Sequence, residues 1–583
     1  MDSKALKRLE VAVTKSMAAM DIYRRKRLER LRERIGTHYS DEGTDQRRPV
    51  NLLAMAGSIY LRQLAGGYPK VLVNTHNAML FPAADDLEQA GNMLLKKIDF
   101  ITSLRHWIVE AFYGAGVMKV GLNKSGTVEI GGFTHDVGQP FADVVSLDNF
   151  VLDTNARKWE EITFAGDFYR MELRDVAESG LFQNAGGLKP EEKTYLNNFG
   201  GDETAQTLGG FQETSQEEFT DKVTLLDLWL PGEQVLLTVA PHQNWRVLRE
   251  VDWEGPKHGP YHLLYLDEIP DNLMPMPPSA TWLDLHRLAN SLMNKLGDQA
   301  DRQKSNLVVP RGGEGDAEAI KNSADGDVLE LDQPDKAQEV RYGGPDQINM
   351  AFFIQVKDLF SWMAGNLDTM GGLSRMADTL GQEQMLDANS FRVIEDMRDR
   401  VIQATQRVVE DLLWYLWTDP LIELPIVKRV PGTDVEIPSI FSAENREGDF
   451  LDYNFEIDPY SLRPRTPGGQ LQKIRSIVGE FIMPLLPVMQ SMGISFKFDQ
   501  LFELLAEYAD VPELARLIEY IDPAMQANHE QEIVASPVKP PVTTRNYNRL
   551  SSSTGGTRTG RDQAMMQSLL GSGGKLLSAN PDQ

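Results

Sequence analysis

The stretch DQINMAFFIQVKDLFSWMAGNLD, Asp346–Asp368, decides how the chain is read. The pattern predicts a helix over these residues that is apolar on most sides: Ile348, Met350, Phe352, Phe353, Ile354, Val356, Leu359, Phe360, Trp362 and Met363. A helix with one face in water does not carry so many apolar residues. It is either deep core or packed between subunits. Its place in a hairpin-like pair of helices favours the second, and Phe352, Phe353, Leu359 and Trp362 are the candidate inter-subunit contacts.

The partner helix comes just before it. Pro275, Pro277 and Pro278 with Ser279 form a stop and an N-cap, and the helix runs from about Ala280 to Lys304. Between the two helices, residues 306–346 read as a compact, non-helical or mixed insert, with strands near Leu307–Pro310, Asp327–Leu331 and Ala337–Arg341. After the second helix, Thr369–Ser390 reads as a flexible loop around Gly371, Gly372 and Gly381. A long amphipathic helix follows, about Leu386 to Trp417, with Phe391, Ile394, Met397, Val401, Val408, Leu412 and Tyr415 near heptad spacing. At 1.5 Å per residue it is roughly 45 Å long.

On the N-terminal side, apolar spacings of three and four predict helices at 3–35, 51–64 and 85–113. The texture then changes to strands. VMKVGLN (Val117–Asn123) alternates, and Lys124-Ser125-Gly126 reads as a hairpin turn into Thr127–Phe133. Short strands are expected within 143–170, and more at VTLLDLWL, EQVLLTVA, WRVLREV and YHLLYLDE between 221 and 268. The Gly-, Asn-, Thr- and Glu-rich 183–220 reads as a mobile insertion. Pro420–Asp458 is extended and Pro-rich, helices fill 467–527, and the tail 536–583 lacks core-forming runs and reads as disordered. The expected class is α+β, predominantly helical, with a β-rich subdomain.

Composition narrows the function classes. The 583 residues allow three to five domains at roughly 100–200 residues each. The net charge of −26 argues against a chain coated in basic patches that grip nucleic acid. That charge is uneven: residues 1–50 are net +5, residues 536–583 net +4, and the middle −35. The basic N-terminal helix is therefore either an interaction arm or an ordinary solvated face. There is no cysteine, so disulfides and thiolate chemistry are excluded. The N-terminus has no apolar signal-peptide core, and no run of about 18 apolar residues occurs, so a soluble protein without a membrane span is expected.

The usual catalytic motifs fail. GSGGKLL (Gly571–Leu577) has Leu569 where a phosphate loop needs its first glycine and Leu576 where it needs Ser or Thr. His529-Glu530 lacks the second histidine of a zinc helix, and Pro260 separates His258 from His262. Asp148/Asp153 and Asp325/Asp327 are the carboxylate pairs that could hold Mg²⁺, although Asp325-Gly326-Asp327 is first a turn signal. Weight therefore shifts from enzyme to binding or structural protein, with no catalytic residue, cofactor or metal expected.

The order of helix, acidic insert, apolar helix, Gly-rich loop and long amphipathic helix resembles the portal proteins of tailed bacteriophages, the head-to-tail connectors. Three stretches carry the resemblance. AFYGAGVMKV (Ala111–Val120) looks like the family's helix-to-strand entry into the wing. VVSLDNFVLDTNARKWEEITFAGDFYR (Val144–Arg170) is similar to its wing segment, through Phe150, Asp153, Ala156 and Arg157, with Thr154 where many relatives carry Pro. LHRLANSLMNKLGDQADRQKSNLVV (Leu285–Val309) resembles the stem helix leading into the clip.

The resemblance implies a portal-like wing, stem, clip and crown architecture, divided as 1–50 basic helical arm, 51–279 wing, 280–305 stem, 306–345 clip, 346–368 stem, 369–385 tunnel loop, 386–420 long wing helix, 421–535 wing end and crown, and 536–583 tail. It implies a homo-oligomer, typically a dodecamer, at one capsid vertex of the virion, assembled in the host cytoplasm. It implies double-stranded DNA held in a channel without sequence specificity. The implied protein partners are the terminase large subunit, head-completion adaptor and tail proteins, and major capsid and scaffolding proteins. Gly371, Gly372, Arg375 and Gly381 would form the tunnel loop, with Arg375, Lys295, Arg302 and Lys304 as channel contacts. Arg311, Glu314, Asp316, Glu318, Asp325 and Asp327 would belong to the docking clip, whose stretch 306–346 is net −6. An acidic channel suits sliding, because Lys/Arg–phosphate contacts release counterions and hold DNA. The alternatives are a Mg²⁺-dependent DNA-processing enzyme and another virion structural protein of the tail or internal core.

Overall fold

A computed structural model describes residues 2–35, 50–130, 133–191, 220–324, 338–370, 380–429 and 436–462, with a few isolated residues besides. The chain divides into two compact units, Met1–Arg465 and Thr466–Gln583. The described elements belong to the first, and the helices and tail expected beyond 466 lie outside the described residues.

In chain order the elements are α1 (Ser3–Ile35), α2 (Leu52–Leu64), β1 (Val71–Thr75), α3 (Phe81–Lys97), α4 (Phe100–Tyr113), β2 (Gly116–Ile130), β3 (Phe133–Val145), β4 (Phe150–Leu152), β5 (Ala165–Glu172) and α5 (Leu173–Glu178). Then come β6 (Lys222–Leu230), β7 (Val235–Ala240), β8 (Arg246–Asp252), β9 (Tyr261–Leu264), α6 (Pro278–Asp301), β10 (Lys304–Val308), α7 (Glu314–Asn322) and β11 (Gln338–Tyr342). The series ends with α8 (Gln347–Met363), α9 (Leu367–Met370), α10 (Leu380–Thr418), β12 (Leu424–Arg429), β13 (Glu436–Phe441) and β14 (Tyr453–Ile457).

The described structure is 48% helical and 23% strand, so the expectation of a predominantly helical chain is corrected to a mixed α/β fold. The sheets are antiparallel: a five-stranded one ordered β4-β5-β6-β7-β8, a three-stranded one ordered β3-β2-β9, and three two-stranded ribbons. The extra strand content comes from long-range pairing that local pattern does not reveal. Val71 of β1, for example, pairs with Ile457 of β14.

Two boundaries also differ from expectation. The helix over 85–113 is two helices, broken at Asp99, whose φ of 48° is left-handed and cannot continue a right-handed helix. The hairpin turn does not fall at Lys124–Gly126: β2 absorbs that signal as a bulge and runs on to Ile130. The insert after α6 is the mixed one of the two forms expected: beside its strands it contains a helix, α7, with Glu314 and Asp316 in its first turn, where acidic side chains favour helix formation.

The largest core joins α2, α3, α4, α6, α8, α9 and α10 around Tyr60, Phe100, Trp107, Tyr113 and Phe360. Gly116 opens β2 against this core. A Cβ there would lie 2.7 Å from the Trp107 carbonyl oxygen, so only glycine fits. Helix α1 packs Leu9, Val13 and Met17 on one face of the five-stranded sheet, against Phe164, Phe168, Leu226, Leu228 and Val239.

The N-terminal helix resolves the choice between arm and solvated face by being neither throughout. Arg24, Arg27 and Arg30 are buried. The Arg27 guanidinium donates to both Glu110 carboxylate oxygens, at 2.8 and 2.9 Å, and to Asp148 Oδ2 at 3.3 Å. Arg24 donates to the carbonyls of Leu147 and Phe150 at 3.2 and 2.9 Å. Burial lowers the Arg24 guanidinium and brings Arg30 down to about 10.

Removing one member of a buried ion pair costs about 3–5 kcal/mol, because the remaining charges lose compensation. Arg27→Ala is therefore expected to cost that much in denaturant unfolding, while Arg25→Ala on the exposed side of the same helix stays within roughly 0.5 kcal/mol. Equal effects would mean that the buried cluster contributes nothing specific.

Candidate functional site

The helix pair expected from sequence is present: α6 and α8 flank an insert carrying β10, α7 and β11. Strands β10 and β11 pair only with each other, from Lys304↔Tyr342 to Val308↔Gln338, and every residue of β10 is exposed. Of the expected channel contacts, Lys295 is exposed on α6, Arg302 caps that helix, and Lys304 begins a strand rather than ending a helix. Arg311, Glu314 and Glu318 are exposed, whereas Asp316 is buried. Asp325, Asp327, Gly371, Gly372 and Arg375 lie outside the described residues. Gly381 falls inside α10, so the expected loop 369–385 is helical from Leu380 onward.

Helix α8 buries Val356, Phe360 and Ser361 against the rest of the chain. Phe353 is half-buried beside the same core. The rest of its apolar surface stays open: Ile348 is 78% exposed, Trp362 68%, Met350 55% and Phe352 44%, with Ile354, Leu359 and Met363 similar. Spacings of three and four sort these residues into two flanks. Ile348, Phe352, Leu359 and Met363 lie on one side of the buried face, while Met350 and Ile354 lie on the other, and Trp362 falls in line with Asp358 and Gln355 between them. Between the flanks, opposite the buried face, runs an exposed lane of Gln347, Ala351, Gln355 and Asp358. Seven side chains of roughly 150–250 Å² each, about half exposed, leave on the order of 700 Å² of apolar surface. Divided between two flanks, this area is not one contiguous patch exceeding the roughly 300–600 Å² of a typical monomer; its significance lies in having apolar surface on both sides of the helix.

A second constellation was not anticipated. Lys119 of β2 reaches across to the five-stranded sheet and donates to Asp167 Oδ1 at 2.7 Å and Asp227 Oδ2 at 3.0 Å. Tyr261 donates to Asp167 Oδ1 at 2.5 Å, while Tyr169 and Thr238 donate to Asp227 Oδ1 at 3.1 and 2.7 Å. Asp167, Asp227, Thr238 and Arg249 stand in register across β5, β6, β7 and β8. Burial alone would lower the Lys119 ammonium, but Asp227 and Asp167 more than offset it and hold it above the ordinary lysine range. Burial also raises Tyr261 and Tyr169, reinforced by the two carboxylates.

The constellation borders a cleft of about 970 Å³ walled by Phe141, Trp253 and Trp414. Lys119 already engages both carboxylates, so the arrangement is an electrostatic pin between two sheets rather than a poised base. Its sequence signal is a lone aspartate in an otherwise apolar strand run, as in VTLLDLWL and TFAGDFYR.

The other motif residues prove structural. Asp153 Oδ1 accepts from the Asn155 backbone at 3.0 Å, and Oδ2 accepts from the Thr163 backbone and hydroxyl at 3.2 and 2.6 Å. Phe150 is fully buried. Asp148 pairs with Arg27, so Asp148 and Asp153 each have separate partners. His262 Nε2 lies 2.8 Å from Asp411 Oδ2, a buried contact that fixes β9 to α10. Among the described residues, no group of three or more His, Asp or Glu side chains is placed to hold a metal ion. No protein-family model matches the chain, and no curated protein matches it.

Burial would raise the Asp153 carboxyl, but its hydrogen bonds outweigh burial and leave it below its ordinary value of 3.8. A carboxylate depressed by folding adds stability that is present above the unfolded value and lost as pH falls through the folded one. Asp153→Asn is therefore expected to cost about 1–3 kcal/mol at neutral pH, with the deficit shrinking as pH drops below the carboxylate range. A deficit independent of pH in thermal melts would contradict this assignment.

Proposed function

We propose that this chain is a subunit of a ring that conducts double-stranded DNA, as the portal proteins of tailed bacteriophages do. The observation that carries the proposal is the two-flanked surface of α8. A helix standing in a circle of copies has a neighbour on each side, and two unlike apolar flanks suit such a head-to-tail arrangement. The lane between them would then face the opening. It holds amides, an alanine, one carboxylate and the Trp362 indole, and the neighbouring Lys357 pairs with Asp358 at 3.4 Å. Such a lane offers phosphates few cationic contacts and lets a duplex slide.

The overall charge of −26 supports the same reading, since each added copy deepens the negative field. The exposed β10–β11 ribbon, at the far end of α6 and α8, is the surface proposed to receive the packaging motor and later the head-completion and tail proteins. In this reading the protein works by shape and charge rather than by bond-making chemistry, in the virion and, before that, in the host cytoplasm.

Light scattering on the purified chain is expected to give a mass many times 65.4 kDa, and electron micrographs to show rings with a central hole. Phe352→Asp or Trp362→Asp is expected to weaken association by at least about 30-fold, as loss of an aromatic interface anchor does. A chain that stays monomeric over all concentrations and salts would overturn the proposal.

A further inference from the structure

A subunit of net charge −26 must meet its copies against their mutual repulsion, and its two unmatched surfaces suggest how. The first is the outer side of α1. Its inner side holds the apolar and arginine contacts already described. Outside, Lys4, Lys7, Arg8, Val11, Lys15, Ala18 and Ile22 are exposed along one lane at spacings of three and four. Among the described residues none of these four cations has an ion-pair partner. Val11 and Ile22 are 52% and 62% exposed within the same lane. A surface shaped only for phosphates has no use for them, because DNA-backbone contacts are polar and ionic.

The second surface is the cleft beside Lys119. Its lining holds two basic and six acidic side chains, net −4. Asp143, Asp252 and Glu254 stand exposed on its rim, without ion-pair partners among the described residues. Its walls are apolar where they are open, with Leu122, Leu181 and Val251 each more than 40% exposed. The cleft's 970 Å³ is at the upper end of ordinary binding pockets. That is room for several side chains from the lane, though not for a whole helix.

Placement supplies the remaining argument. Phe168, Leu226 and Val239 lie in register and face α1. Asp167, Asp227 and Arg249, one residue away along each strand or in register with such a residue, line the cleft. Successive strand residues point to opposite faces. The basic lane and the acidic cleft therefore belong to opposite sides of one sheet, and a chain cannot close them on itself. Two complementary, unlike surfaces on opposite sides of a subunit make a head-to-tail contact.

We propose that the outer lane of α1 from one copy docks on the acidic cleft between the two sheets of the next copy. Lys7, Arg8 and Lys15 meet the rim carboxylates, and Val11 and Ile22 cover the apolar wall. The inference needs only that copies of the chain associate; it does not need the assembly to enclose DNA.

The test uses the full chain and three charge-reversed forms: Lys7→Glu/Arg8→Glu/Lys15→Glu on the lane, Asp143→Lys/Asp252→Lys/Glu254→Lys on the rim, and both together. Self-association is followed by sedimentation over a salt series, with thermal unfolding as the control for folding. A lane set neutralised to Gln serves if the reversed one does not fold. Wild-type association is expected to weaken with salt. Each single set should weaken it by at least about tenfold, and the combined form should recover most of the loss.

Association unchanged by the lane set overturns the proposal, and so does weakening that the combined form does not rescue. A labelled short DNA duplex, bound by the wild type and released by the lane set while association is unaffected, overturns it in favour of a nucleic-acid face. A wild type that associates into something other than a ring removes the conduit reading and leaves this contact to stand or fall on the charge swap.

Discussion

Lys119 carries a full charge into a largely buried position at the edge of the cleft, and much of the molecule's organisation follows from how that charge is met. Two aspartates from adjacent strands flank the ammonium, and three hydroxyls complete their hydrogen bonds. A buried ion network is a weak source of net stability, since desolvation offsets most of the attraction. Its consequence is positional. Together with the apolar contacts of Val117 and Tyr261 on Phe150 and Trp229, it ties the three-stranded sheet to one face of the five-stranded sheet, and the gap left beside that tie is the cleft. The other face of the five-stranded sheet packs an apolar layer, Phe168, Leu226, Leu228 and Val239, under α1. One sheet thus presents a charged row to one side and a hydrophobic layer to the other.

The elements legible in the sequence are those whose evidence is local. The periodicities of α1, α2, α6 and α8 and the apolar, strand-like runs of β6, β7, β8 and β9 place these elements within a few residues of where they occur, and α10 begins six residues before its expected start at Leu386. The readings that failed depended on distant partners. Strand β3 carries no strong signal of its own and exists because β2 extends beside it. Strand β1 waits for a partner nearly four hundred positions later. The glycines near the start of α10 read as a flexible loop, yet Gly381 is inside a 39-residue helix, which absorbs the propensity cost of one glycine.

The candidate site divides the same way. The apolar excess of α8 is visible as composition, but only the packed structure separates the side chains it uses internally from those it leaves in water. Phe360 and Phe353 go to the core, while Phe352 and Trp362 do not. The basic N-terminus shows the same limit. A count of Lys and Arg cannot tell that three arginines point inward to carboxylates and carbonyls while Lys7, Arg8 and Lys15 point outward.

The acidity of the chain bears on assembly as much as on any ligand. Repulsion between copies grows with their charge, whereas apolar burial on α8 is indifferent to it. An interface made of α8 alone would therefore tolerate any rotation that covers the flanks. A basic lane set against an acidic cleft is different, because like charges meet in every other arrangement and cost free energy there. Affinity can thus reside in the apolar helix while orientation resides in the charged pair. In the proposed ring, that separation would let a strongly negative chain associate in one register and still present a surface to which a polyanion does not adhere.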